Sequence, residues 1–236
     1  MKQAIFTILL IFPLVGLASC EKDSFTDSRD GQTYRTVQIG NQTWMAENLN
    51  YAYLQATSSE DSSSFCYKNS ADSCAKYGRL YLWSAAMDSA GVFSRAGEGC
   101  GYHSECSAGT ATVVRGVCPE GWHLPSKAEF KTLIAAVGGK DVAGIVLKSK
   151  SGWKSDGIGT DAYGFSALPA GGRGSYGGSY ASFDFAGSYA YFWSATEDDS
   201  GIPYEMNLDY HNDSASPGYC NKYRGFSVRC LRDSRL

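Results

Sequence analysis

The sequence predicts an α+β domain: antiparallel strands packed with two or three helices. Three observations predict it. The first is a capped amphipathic helix. Ser126 followed by Glu129 matches the S-x-x-E capping box, in which each side chain satisfies a backbone N–H at the helix start. Phe130, Leu133, Ile134 and Val137 then recur at i, i+3, i+4 and i+7, and Gly138-Gly139 supplies a stop. The helix is expected over 127–137. The second is Gly40-Asn41, a two-residue turn between the strand-like runs 33–39 and 42–45. The third is the alternation of Tyr204, Met206, Leu208 and Tyr210 with Glu205, Asn207 and Asp209, a period of two.

The chain starts with a segment that lies outside the fold. Lys2 is a short basic start, and Ile5 to Leu17 is nearly unbroken apolar sequence. Leu17-Ala18-Ser19-Cys20 is a lipobox, so residues 1–19 are expected to be a secretory signal peptide and Cys20 the lipidated residue. The apolar run is too short to span a bilayer. Residues 20–30 read as a polar tether, and 31–236 as the domain. The acidic-plus-Lys start after Cys20 resembles export signals of surface lipoproteins. The expected location is the outer membrane, lipid-anchored and surface-exposed. The membrane is then a partner through the N-terminal lipid.

The elements follow in order. In the front hairpin, pairing Ile39 with Gln42 puts Val37 opposite Trp44, an aromatic–β-branched cross-strand pair. Residues 55–64 are Ser-rich and read as a surface loop; 66–74 read as a second, small loop. A short helix is expected over 82–88, burying Leu82 and Ala86. Residues 91–116 look irregular. Cys118-Pro119-Glu120-Gly121-Trp122-His123-Leu124-Pro125 leads into the capped helix. A second helix is expected over 141–148, with Val142, Ile145 and Val146 on one side. Tyr163 to Leu168 reads as a strand ended by Pro169. Residues 171–188 are too Gly-rich for a regular element. Three strands close the chain, over 189–195, 204–210 and 226–230.

There are eight Cys. With Cys20 assigned to lipid, Cys66, Cys74, Cys100, Cys106, Cys118, Cys220 and Cys230 remain, and export makes disulfides the default. The short spacings suggest Cys66 with Cys74 and Cys100 with Cys106. Cys118 with Cys230 would then tie the helix lead-in to the last strand, and Cys220 is the free thiol. Spacing alone does not fix this connectivity. No C-x-x-C exists and the His are far apart, which argues against zinc. The net charge of −3, with both signs mixed and no Lys/Arg run, gives no sign of nucleic acid as a partner.

Asp30-Gly31-Gln32-Thr33-Tyr34, the block Val37 to Asn50, Tyr77-Gly78-Arg79-Leu80-Tyr81, Cys118 to Ser126, and Gly225-Phe226-Ser227-Val228-Arg229-Cys230 resemble, in order, the Fibrobacter succinogenes major paralogous domain. The resemblance covers about 30 to 232. It implies an exported, often lipid-anchored protein of no established activity. More distantly, His123-Leu124-Pro125-Ser126-x-x-Glu129-Phe130 and Arg229-Cys230-Leu231 resemble the sulfatase-modifying (formylglycine-generating) superfamily. That link implies a single C-type lectin-like domain, disulfide-stapled, with both termini in one sheet. A Cys118–Cys230 bond is what such a topology suggests.

The chemistry is thin. Formylglycine-generating enzymes need two closely spaced Cys; Cys220 resembles the second, but Ala215 stands where the first should be. G-x-S-x-G is absent. His123 reads as scaffold, His211 as a loop residue, and Glu197-Asp198-Asp199 as a solvated acidic turn rather than a Ca²⁺ cluster. No catalytic residue, metal or cofactor is expected. The best binding candidates are Tyr176, Tyr180, Phe183 and Phe185, whose aromatic faces suit sugar rings; part of Tyr191-Phe192-Trp193 is expected in the core. The sequence thus points to a non-enzymatic, lectin-like recognition or adhesion protein with polysaccharide as a candidate ligand. The alternatives are a structural envelope protein that binds other proteins and a relative of the formylglycine-generating enzymes.

Overall fold

The computed structural model describes residues 24–55, 63–101, 106, 113–155, 157–174, 182–198 and 202–234. In chain order the elements are β1 (Ser24–Thr26), β2 (Thr33–Ile39), β3 (Gln42–Met45), β4 (Ser64–Phe65), α1 (Ala71–Tyr77), β5 (Leu80–Leu82), α2 (Trp83–Ala86), β6 (Trp122–His123), α3 (Lys127–Ala136), α4 (Lys140–Leu147), β7 (Gly172–Arg173), β8 (Phe183–Asp184), β9 (Tyr189–Glu197), β10 (Pro203–Asp209), β11 (Ala215–Tyr219), β12 (Gly225–Ser227) and β13 (Leu231–Arg232). The fold is α+β. One sheet runs β1-β2-β3-β13-β6, and a second runs β11-β10-β9-β12-β5-β4, with β7 and β8 joined to it at β12.

The front hairpin has the predicted register, with Ile39 opposite Gln42 and Val37 opposite Trp44. Helix α3 starts at the predicted residue and ends at Ala136, with Val137 as its C-cap, and its capping box is complete on both sides. Trp44 stacks on Phe130 at 5.4 Å, which docks the helix onto the hairpin. Three disulfides staple the domain: Cys66–Cys74, Cys100–Cys106 and Cys118–Cys230. The last closes 112 residues, a long loop whose entropy it removes from the unfolded chain.

Several elements differ from expectation. The tether over 20–30 is part of the fold from Ser24 onward, because β1 pairs with β2. Within that stretch Asp27 is buried, and Arg29 donates to Val117 O and lies 4.1 Å from the Tyr51 ring centre. The 66–74 loop contains the start of α1. The short helix begins at Trp83 because Leu80–Leu82 is recruited as a strand against β12. In α4 the buried residues are Ala143, Gly144 and Leu147, while Val142 is exposed.

No strand forms over 163–168. Asp161 and Ser166 have left-handed φ values of 47° and 53°, and the Asp161 carboxylate accepts from Ser166 N and Oγ. This local side-chain bonding displaces extended structure. Residues 171–188 are not wholly irregular, since β7 and β8 form a short ribbon. β11 was not anticipated at all. The expected strand 226–230 is divided: β12 pairs in the large sheet, β13 pairs with β3 and β6, and the chain crosses between the sheets over 228–230.

Arg229 occupies that crossing and is fully buried. Its Nε and Nη2 donate to Asn48 Oδ1 at 3.1 and 2.7 Å, and Nη1 donates to Met45 O and to Phe165 O. The rings of Phe165 and Phe192 lie 4.5 and 5.4 Å from its guanidinium carbon. Burial pulls its pKa down to about 9, still a cation at neutral pH. No carboxylate among the described residues is hydrogen-bonded to it; carbonyl and amide oxygens replace water.

Replacing Arg229 with Met removes the donor but leaves Asn48 Oδ1 and two carbonyls buried. Urea unfolding of Arg229→Met is expected to show a loss of about 3 kcal/mol or more, because each orphaned buried acceptor costs roughly 1–3 kcal/mol.

Candidate binding face

Antiparallel pairing decides which side chains meet. Across β9 and β10, Tyr189 opposes Asp209, Tyr191 opposes Asn207, and Trp193 opposes Glu205. Across β10 and β11, Glu205 opposes Gly218 and Asn207 opposes Ser216. Directly opposed residues share a face. The other face holds Ala190, Phe192, Met206, Leu208 and Ala215, which pack in the core with α3 and α4.

The first face carries a continuous aromatic row. Phe185 meets Tyr189 edge-on at 5.4 Å; Tyr189 stacks on Tyr191 at 5.4 Å with 8° between planes. Tyr191 stacks on Phe226 at 4.6 Å, and Phe226 contacts Trp193 at 4.5 Å. Phe185 is 39% exposed, Tyr189 and Tyr191 are half-buried, and Phe226 and Trp193 are buried. The row therefore runs from solvent into the core. Its inner end is fixed by the Trp193 Nε1–H bond to Tyr81 O at 2.8 Å. Rings held this way lose little entropy on binding a flat apolar surface.

Polar groups flank the row. Asn207 Nδ2 donates to Glu205 Oε1 at 3.0 Å. Asp209 is committed to the β10–β11 turn, accepting from His211 N and Asn212 Nδ2. Glu205 is 6% exposed, and its Oε2 has no hydrogen-bond partner among the described residues. Burial pushes its pKa up to about 7, and the Asn207 bond offsets only part of that. Glycine is required at 218, where a Cβ would fall 2.0 Å from Glu205 Oε1. Cys220 is a free, half-buried thiol; burial raises its pKa and neighbouring Arg224 counteracts only part of the rise, so it is not an activated thiolate.

Of the four predicted ligand residues, Tyr176 and Tyr180 lie outside the described residues, as does Cys20. Phe185 joins the row. Phe183 does not: it packs on Tyr67 at 5.4 Å, beside Arg173. Tyr189, Tyr191 and Asn207 were missed as site residues, although the period-two pattern around Asn207 was visible. What the pattern lacked was the cross-strand partner.

The other candidates are structural. His123 is buried and bonded through both ring nitrogens, to Glu129 at 2.9 Å and Asp233 at 2.7 Å. Burial opposes its charge, but the two carboxylates outweigh burial and raise its pKa. The charge-assisted part of the tie between α3 and the C-terminal segment is thus present below pH 6.5 while the carboxylates stay ionised, and is lost as pH rises through the raised value. Glu197 is not a solvated acid. It pairs with Lys222 and accepts from Cys106 N at 3.3 Å. Asp198 accepts from Ile202 N, and Asp199 lies outside the described residues. No group of three or more His, Cys, Asp or Glu among the described residues is arranged to hold a metal ion.

The two sheets, the capped helix and the three staples define a disulfide-bonded α+β domain with an aromatic face. The sequence profile of the Fibrobacter succinogenes major domain matches residues 37–232, and the chain belongs to that family. Comparison with curated proteins and with solved structures returned no match.

Glu205→Gln keeps the Asn207 contact and removes the buried charge. A carboxyl with a raised folded pKa costs stability progressively as pH rises from its unfolded value of 4.5 to about 7. The variant is expected to match wild type near pH 4 and to exceed it by up to about 3 kcal/mol at pH 8 in denaturant titrations. His123 is common to both proteins and drops out of the difference.

Proposed function

We propose that this protein is a non-enzymatic recognition module that holds a glycan against the Phe185–Tyr189–Tyr191 row. One observation carries the reading: a row of aromatic rings, accessible at one end and locked in the core at the other, with Asn207 opposite Tyr191. Sugar rings present C–H faces to aromatic surface and hydroxyls to amide groups. Asn207 spends its Nδ2 on Glu205 and keeps its carbonyl oxygen for a hydroxyl donor.

A C-type lectin-like scaffold suits this role. Its support here is the shared sheet of the first strands and β13, with Cys118–Cys230 tying the lead-in to β6 to the C-terminal end. The binding reading is favoured over oxidation of a protein thiol because Ala215 is buried opposite Leu208 and no second free Cys is found among the described residues. Lipidation at Cys20 would place the domain on the outer membrane, facing outward. No helix among the described residues is long and apolar enough to cross a membrane.

Pull-down on insoluble plant polysaccharides is expected to retain the protein. Tyr191→Ala combined with Asn207→Ala should weaken retention about tenfold, the scale of one lost aromatic contact with its hydrogen bond. No retention of wild type, or equal retention of the variant, refutes the glycan reading; capture of envelope proteins instead would favour a structural role. Separately, Cys20→Ala should move the protein from the membrane fraction to the soluble fraction. Continued membrane association would overturn lipid anchoring.

A further inference from the structure

A second concave site lies on the other side of the molecule's sequence, between the front hairpin and α1. It is a groove of about 340 Å³ lined by β2 and the segment after β3, the end of α1 with Gly78, and Ser166 and Leu168. That volume is at the low end for small-molecule sites, roughly 300–1,000 Å³. Its walls are polar, unlike the aromatic row.

The charges in the groove are arranged asymmetrically. Both oxygens of Glu47 are spent on Arg35: Oε2 accepts from the Arg35 backbone N at 2.7 Å and Oε1 from Nε at 2.9 Å. The Nε contact holds the guanidinium by one edge, and the backbone contact fixes the Glu47 carboxylate beside it. Its two Nη groups, the pair that forms a fork for a carboxylate, have no partner among the described residues. Lys76 lines the same groove, 4.8 Å from the Tyr77 ring centre, with no carboxylate partner among the described residues. Arg35 and Lys76 against Glu47 leave the groove net positive. Asn50 Oδ1, also on its wall, is buried without a hydrogen-bond partner. Gln32 is held in place by bonds to Asp30 and to Asn50 O.

We infer that this groove binds a small polyhydroxylated carboxylate, a uronate. The carboxylate sits on the Arg35 fork beside Lys76, and the ring hydroxyls face the polar wall of the groove around Gln32 and Asn50. A neutral sugar leaves both cations unmet, and a simple carboxylate leaves the polar wall of the groove unmet. The site shares no residue with the Tyr191 face, so it stands or falls independently of the glycan reading above.

Calorimetry on the full chain in detergent tests it, with galacturonate, polygalacturonate and galactose as probes. Galacturonate is expected to bind at least tenfold more tightly than galactose. Arg35→Gln and Lys76→Gln should each weaken galacturonate about tenfold, and added salt should weaken it further. Tyr191→Ala should leave it unchanged. Competition by polygalacturonate would identify a polymer-derived uronate; binding of the monomer alone would identify the free acid. Equal affinity for galactose, no binding of either uronate, or unaltered binding by the Arg35→Gln, Lys76→Gln double variant overturns the inference. Both side chains are partly or well exposed, so thermal melts of the variants should match wild type and exclude a folding defect.

Discussion

A buried cation without a buried anion is the constraint around which this fold closes. Desolvating a guanidinium is expensive unless its donors are met. Arg229 meets that requirement only when three distant segments converge: the end of the front hairpin through Met45 and Asn48, the loop at Phe165 and Ser166, and the last strand itself. None of the three can shift without stranding donors in a dry interior. The crossing between the two sheets is therefore specified by hydrogen bonding as well as by packing. The Cys118–Cys230 bond, one residue away, holds the same crossing covalently.

The blocks that carry the family resemblance make sense in this light. Asn48 serves Arg229 and also donates to Tyr77 O and Ser227 Oγ. Gly78 sits so close to this segment that a Cβ would fall 2.8 Å from Leu49 O and Asn48 Cβ. Ser126, Glu129 and His123 link the helix start to Asp233. These residues form one connected scaffold. The aromatic row lies outside most of it and contacts it through Phe226 and through the Trp193 bond to Tyr81 O.

The parts of the fold legible in the sequence were those set by neighbours in the chain. The hairpin followed from Gly40-Asn41 and the Val37–Trp44 pairing, and α3 followed from Ser126 and Glu129. The failures arose where distant partners decide. Leu80 to Leu82 becomes a strand because β12 is there to receive it. Tyr163 to Leu168 has strand-like composition, but Asp161 captures Ser166 first. The site was half legible for the same reason. Phe185 was identified from composition, whereas Tyr191 and Asn207 become a pair only through the β9–β10 register.

The first strand starts at Ser24 and is already paired with β2. With the acyl anchor proposed at Cys20, three residues separate lipid from fold, and a fully extended chain reaches about 14 Å over the four steps from Cys20 to Ser24. Such a leash cannot project the domain through a thick surface polymer. If Cys20 is acylated, it would keep the β1 edge of the smaller sheet near the headgroups and restrict the molecule to swivelling about that point. A ligand would have to come to the membrane, or already be part of it.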